Sequence, residues 1–225
     1  MPRIERIDVG DQIYHVINRA NARAQIFDTD ADYKQFEFIL EEAVEKFNMR
    51  ILAYCLMPNH WHLVLYPKHD GDLSKFMSWL TNTHTRRWHT TKKTIGHGHL
   101  YQGRYKSFLC QNDTHLLVLL RYVERNAKRA KLVRKAEQWK WSSVWRRECG
   151  TVEQKKILSS WPVDMPKDYI GYLNESENDE NLSLIRKSIH KNIPFGDDVW
   201  TGKMIDTFKL EQTLRGVGRP KKNGG

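Results

Sequence analysis

The sequence has no apolar run approaching the roughly 20 residues that cross a bilayer, which leaves no candidate for a membrane-spanning helix. Cysteine is scarce and odd in number: Cys55, Cys110 and Cys149 are too widely spaced for a disulfide framework or a zinc knuckle. Cys55, inside an apolar stretch, reads as a small buried hydrophobe. Acidic residues are in deficit, 27 against 37 lysines and arginines, so the net charge is +10 and the isoelectric point is near 9.5. That balance favours nucleic acid over a neutral metabolite as partner, although a basic membrane-surface protein would share it. No internal repeat is visible. The first residues, Met-Pro-Arg-Ile-Glu, carry no apolar stretch of the signal-peptide kind, and the expectation is a soluble cytoplasmic protein. With 225 residues the chain can bury a real core in one domain and carry an appendage.

Of what is present, two histidines one residue apart, His60 and His62, say most. Residues 49–54 (MRILAY) and 60–66 (HWHLVLY) are rich in apolar, β-branched and aromatic side chains, with turn chemistry at Pro58-Asn59 between them. The pattern predicts two antiparallel strands joined by a short loop. Side chains two apart on a strand share a face, so His60 and His62 point one way and Trp61 the other, into a core. Two such imidazoles can bind one divalent cation. They can equally be a polar pair on a solvated sheet face, and the motif alone does not choose.

Residues 113–133 (DTHLLVLLRYVERNAKRAKLV) open with an Asp-Thr cap and place Leu116, Leu119, Leu120 and Val123 at helical spacing, which predicts one amphipathic helix. Tyr122 and Asn126 are i and i+4 on it and share a face, so a phenol and an amide oxygen can address one point. Each alone also reads blandly, Tyr122 as a core aromatic and Asn126 as part of a fraying last turn. From 121 to 147 the basic residues, Arg121, Arg125, Lys128 and Arg129 among them, far outnumber Glu124 and Glu137. A solvated helix face would mix its signs, so the excess predicts a polyanion-binding surface. Trp139, Trp141 and Trp145 follow. They can stack on unpaired bases or pack on the sheet, and packing is expected for at least two of them.

The remaining pattern predicts a first strand over 12–19, a helix over 30–47, a second over 73–91 and a fourth strand over 101–110. The order β-α-β-β-α-β is that of the ferredoxin-like split βαβ fold, an antiparallel sheet with helices on one face. The fold class expected is therefore α+β, with a small, mostly helical C-terminal appendage. The domain boundary is placed at Gly150: residues 1–150 form the main domain, and 151–225 the appendage and basic tail, with a helix over 181–190. Asn18, Arg19 and Arg23, at the end of the first strand, are either phosphate or base contacts or a solvated loop. Arg104 and Lys106 alternate on the fourth strand and are expected to face phosphate. His97 and His99, between glycines, read as exposed histidines rather than a second metal site. Tyr101 and Tyr105 rival Tyr122 as nucleophiles on local charge alone. Arg219 and Lys221 sit in a Gly-Arg-Pro segment that resembles minor-groove hooks, or in a merely basic tail.

The run Leu56-Met57-Pro58-Asn59-His60-Trp61-His62-Leu63-Val64, with Arg121-Tyr122-Val123-Glu124-Arg125-Asn126 and Lys128-Arg129-Ala130-Lys131-Leu132-Val133, resembles the signature segments of single-tyrosine HUH transposases. Within that group the chain is most similar to the REP-associated tyrosine transposases, relatives of the IS200/IS605 group, from about residue 10 to 145. The stretch 196–222 is similar to their C-terminal extension. The resemblance implies an HUH endonuclease fold, His60 and His62 as metal ligands, Tyr122 as catalytic tyrosine and Asn126 as the polar residue completing the metal site. It further implies Mg2+ or Mn2+ as cofactor, single-stranded REP-like DNA hairpins as partners, a bacterial, nucleoid-associated setting, and a monomer or homodimer.

The chemistry suits that inventory. A free tyrosine, with a pKa near 10, is a poor nucleophile at neutral pH and needs a polarised phosphate aligned with the leaving oxygen. A hard cation would polarise and orient that phosphate. Attack by Tyr122 would expel a 3′ hydroxyl and leave a 5′ phosphotyrosine, which a second 3′ end can reverse without ATP. The alternative is a non-catalytic protein that binds or regulates such hairpins.

Overall fold

The computed structural model describes residues 6–214. Strands β1 (Ile13–Arg19), β2 (Arg50–Met57), β3 (His60–Tyr66) and β4 (Lys106–Cys110) pair antiparallel in the order β2-β3-β1-β4. Helix α1 (Asp30–Phe47) joins β1 to β2, and α2 (Asp72–Lys92) joins β3 to β4. This is the split βαβ arrangement that the sequence order predicts. α1 begins at a capping box between Thr29 and Asp32 and ends at Asn48, which takes the left-handed conformation that asparagine tolerates.

α1 and α2 cover one face of the sheet, where Phe36, Ile39 and Leu40 meet Leu73, Phe76 and Leu80 over Val16, Leu56, Trp61 and Leu63. The opposite face is not left to solvent, as a one-sided arrangement would leave it. Helix α3 (Thr114–Glu124) packs Leu116, Leu119, Leu120 and Val123 against Ile13, Val64 and Phe108. The strands carry apolar side chains on both faces, and each face demands its own cover.

Two predicted elements are shorter than their sequence patterns. The fourth strand starts at Lys106 rather than at 101, because Tyr101 pairs with Ala20 only as an isolated bridge and 102–104 bend away. The helix over 113–133 is two pieces: α3, capped by the Asp113 carboxylate on His115 N at 2.7 Å, and α4 (Asn126–Arg129). α4 ends in a Schellman-type turn, with Lys131 at φ 59° and Leu132 N donating to Ala127 O at 3.0 Å. At the break Glu124 is fully buried; Ser143 Oγ donates to it at 2.5 Å and the Tyr169 hydroxyl at 2.6 Å.

The rest of the chain returns to both sheet edges. After α5 (Ser143–Cys149) and α6 (Val152–Lys155), Ser159 N donates to Ile51 O at 2.8 Å. β2 shifts register between Ile51 and Ala53, and the carbonyl of Leu52 accepts from Trp161 Nε1 at 2.8 Å and from Arg147. Beyond α7 (Tyr169–Asn174) and α8 (Asp179–Lys191), Phe195 N donates to Leu109 O at 2.8 Å, and α9 (Asp198–Thr207) follows. Trp139 and Trp141 pack as expected: Trp139 Nε1 donates to Leu56 O at 2.8 Å and Trp141 stacks on Tyr33. Cys55 and Cys110 are buried thiols. Among the described residues no helix is long and apolar enough to cross a membrane.

Trp61 anchors β3 in the core. Its Nε1 donates to the Tyr101 hydroxyl at 2.9 Å, and that hydroxyl is hydrogen-bonded to His84 Nδ1 at 2.6 Å. Trp61→Ala is expected to cost about 3–5 kcal/mol of unfolding free energy in denaturant titration. Burial pushes His84 down from 6.5 to about 3, so the folded protein keeps it neutral while the unfolded chain takes up a proton below 6.5. Its contribution is full above pH 6.5 and is lost as pH falls from there toward 3. Urea titrations at stepped pH should show a steeper loss over that window for the wild type than for His84→Gln.

Candidate active site

Alternation on β3 sends Trp61 to the α1–α2 core and leaves His60 and His62 on the α3 face, their ring centroids 5.1 Å apart. On the neighbouring strand Arg19 stands opposite His60 and Ile17 opposite His62. His60 Nδ1 lies 2.6 Å from Asn59 Oδ1, and His62 Nδ1 lies 2.8 Å from His15 Nε2. The Nε2 atom of each ring has no hydrogen-bond partner among the described residues. Burial, with Arg19 adding to it, pushes His60 down to about 4. Burial, then the neighbouring His15 and His60, holds His62 well below its usual range. Both rings are therefore neutral at neutral pH, the form that binds a metal.

Across from them, α3 and α4 present Tyr122 and Asn126. The Tyr122 ring centroid is 6.0 Å from that of His62 in the same chain. Neither the phenol hydroxyl nor the Asn126 amide has a hydrogen-bond partner among the described residues. Burial raises the Tyr122 phenol above its usual value, and the guanidinium groups of Arg129, Arg186 and Arg19 pull it back in part. Arg129 lies 4.2 Å over the Tyr122 ring and is held there by Glu177 at 2.6 Å. The rival tyrosines face elsewhere: the Tyr101 hydroxyl is committed to Trp61 and His84, and the Tyr105 hydroxyl is buried without a hydrogen-bond partner among the described residues.

A pocket of about 680 Å³ joins these groups. Its wall includes His60, His62, Tyr122 and Asn126, the cations Arg19, Arg104, Lys106, Arg129 and Arg186, and, among the described residues, no carboxylate. No cluster of three or more His, Cys, Asp or Glu able to hold a metal occurs among the described residues. The donor set is instead two imidazole nitrogens without hydrogen-bond partners among the described residues and one uncommitted amide. It fits a divalent cation as a neutral set that a substrate phosphate would complete.

Of the residues expected to touch DNA, Asn18, Arg19, Arg104, Lys106 and Arg129 line this pocket. Arg23 is exposed on the loop beyond β1. Arg121, Arg125 and Lys128 lie against residues 173–177: Arg121 donates to Glu175 O and Ser176 O, Arg125 pairs with Glu177 at 3.0 Å, and Lys128 donates to Asn174 O at 2.7 Å. Arg219 and Lys221 lie outside the described residues. Three residues escaped the sequence reading. His15 has a legible signal, a polar side chain in phase with Ile13 and Ile17 on a strand. Arg186 and His190, i and i+4 on α8, have none, because only tertiary packing brings α8 to the pocket.

Residues 8–126 match the family model described as "Transposase IS200 like". A search of curated proteins finds no match. Among solved structures, the fold is similar to a REP-associated tyrosine transposase bound to a REP hairpin, with a TM-score of 0.55 and 15% identity over 74% of this chain and 96% of that one. Two weaker likenesses are a putative transposase from Deinococcus radiodurans (TM-score 0.39, 22% identity, 53% of this chain and 93% of that one) and tRNA(His) guanylyltransferase from Saccharomyces cerevisiae (TM-score 0.40, 15% identity, 68% and 79%). The matched stretch is more than half of the 225 residues and contains all four strands with His60, His62, Tyr122 and Asn126, so the chain belongs to the family of IS200-like transposases.

Proposed function

We propose that this transposase nicks and rejoins single-stranded DNA through a covalent link between Tyr122 and a 5′ phosphate, with a divalent cation, Mg2+ or Mn2+, at His60, His62 and Asn126. The observation that carries the reading is the shared pocket, in which, among the described residues, an uncommitted phenol, two unpaired imidazole nitrogens and a free amide meet among four arginines and Lys106 with no carboxylate in the wall. A cation bound there would polarise the scissile phosphate and stabilise charge on its oxygens.

The chain's own groups would do the rest. Arg19, Arg104, Lys106 and Arg186 bind the phosphates flanking the reacting one. Arg129, braced by Glu177, fixes the ring of Tyr122 and favours its anion. Tyr122 Oη forms a bond to phosphorus as the bond to the 3′ oxygen breaks; the phenol proton is lost to solvent and the released 3′ oxygen takes one up. The ester conserves the phosphodiester's bond energy, so attack by another 3′ hydroxyl rejoins strands. A second groove of about 1130 Å³, between α2 and residues 95–105, shares Asn18, Gln102, Gly103 and Arg104 with the pocket. It offers a polar path along which the strand leaves the site.

The REP hairpin bound to the similar solved structure makes hairpin DNA the substrate to test first. Incubated with an end-labelled single-stranded REP-like hairpin and Mn2+ or Mg2+, the protein is expected to yield a product linked through a 5′ phosphate. Tyr122→Phe should lose the linkage and keep hairpin binding; survival of the linkage would reject Tyr122 as nucleophile. His60→Ala or His62→Ala should slow cleavage on the order of 100-fold or more, and a wild-type rate would make the pair structural. A protein that only binds hairpins would give no linked product even as wild type.

A further inference from the structure

His15 is fully buried on β1, and its partner in the ladder lies two residues beyond His62, on the same face: His15 pairs with Val64 and Ile17 with His62. Its Nε2 lies 2.8 Å from His62 Nδ1, while its own Nδ1 is buried with no hydrogen-bond partner among the described residues. Phe108, at 4.8 Å between centroids, covers its ring. Two neutral imidazoles joined in this way have two proton arrangements. If His15 Nε2–H donates, His62 accepts at Nδ1 and carries its own proton on Nε2, toward the pocket, where it cannot take a cation. If His62 Nδ1–H donates, His62 Nε2 offers a lone pair to the pocket and the proton of His15 sits on the unpartnered Nδ1.

His60 does not face this choice. Its partner is the Asn59 carbonyl oxygen at 2.6 Å, which only accepts, so its Nδ1 donates and its Nε2 is free. The two histidines of one motif thus differ: His60 is preset as a ligand, and His62 is set by a neighbour that can act in either sense.

We propose that His15 is a positioning residue for the cation site: by accepting from His62 Nδ1–H it holds the His62 ring and the tautomer in which Nε2 is a ligand, and cation binding selects that arrangement of the pair. The proposal rests on the reading of His60 and His62 as cation ligands. A partner on the far nitrogen of a ligating histidine fixes its orientation and basicity, and removing such a partner weakens metal binding by roughly 10–100-fold. The cost of a buried donor on His15 Nδ1 adds a second consequence, because the metal-free protein should favour the arrangement that does not ligate.

Mn2+ affinity, read from the electron paramagnetic resonance of free Mn2+, tests this on the full chain. His15→Phe is expected to weaken binding about 10–100-fold, and His15→Gln, which places an acceptor oxygen near the position of Nε2, to recover most of it. Wild-type affinity in His15→Phe, or equal losses in both variants, would overturn the proposal. Long-range 1H–15N spectra of the wild-type protein do not depend on any variant folding. On addition of Zn2+, a diamagnetic probe that prefers imidazole, His62 should appear protonated at Nδ1 and His15 at Nδ1; a His15 still protonated at Nε2 would overturn it. If His60→Ala and His62→Ala leave Mn2+ binding unchanged, the cation reading itself fails. If they abolish binding while His15→Phe does not, only the role of His15 fails.

Discussion

The site depends on the register of β3. Its side chains alternate between two buried faces, so a slip of one residue would drive His60 and His62 under α1 and α2 and turn Trp61 toward Tyr122. Pairing on both sides resists that slip: β1 and β2 flank β3, and the Pro58-Asn59 turn is pinned by Ala20, Ile26 and Phe27 donating to its carbonyls at 2.9, 2.9 and 3.1 Å. Trp61, in contact with Phe36 and tied to Tyr101, makes one face the only comfortable one. The histidines are held in place by what lies between them.

The tyrosine is placed by a different device. α3 is apolar toward the sheet, but the break after it is set by Glu124, whose buried carboxylate is met by Ser143 and Tyr169. Burying that group without partners would be costly, so its bonds to Ser143 and Tyr169 tie α5 and α7 to this end of α3. Residues 173–177 then take up Arg121, Arg125, Lys128 and Arg129. Part of the basic surface is thus taken up inside the molecule, and of these four residues only Arg129 also lines the pocket. Tyr122 consequently meets the histidines of its own chain.

The pocket is also unusual in its charge. Four arginines and Lys106 line the pocket around a neutral donor set; among the described residues no carboxylate lines it, and of these cations only Arg129 is paired, with Glu177. Such a wall repels a bare divalent cation and attracts a phosphodiester. Cation and phosphate each supply what the other needs, and neither the imidazoles nor the arginines alone complete the site.

Much of this was legible in the chain because it is written in short spacings. Although Tyr122 and Asn126 reach the pocket across the break between α3 and α4, period two on β3 put both histidines on one face and turn residues marked the hairpin at Pro58. These relations involve residues within four positions of one another, and the backbone geometry that enforces them is local. The one-sided sheet, the unbroken helix over 113–133 and the full strand over 101–110 were not borne out, since each was decided by packing against distant elements. The same holds for His15 against His62, Glu177 against Arg129 and α8 against the pocket, pairs separated by about 50 residues or more. Local sequence thus determined which residues could share a face, whereas only the tertiary structure decided which faces meet, because burying apolar surface and pairing buried charge are settled between elements rather than within them.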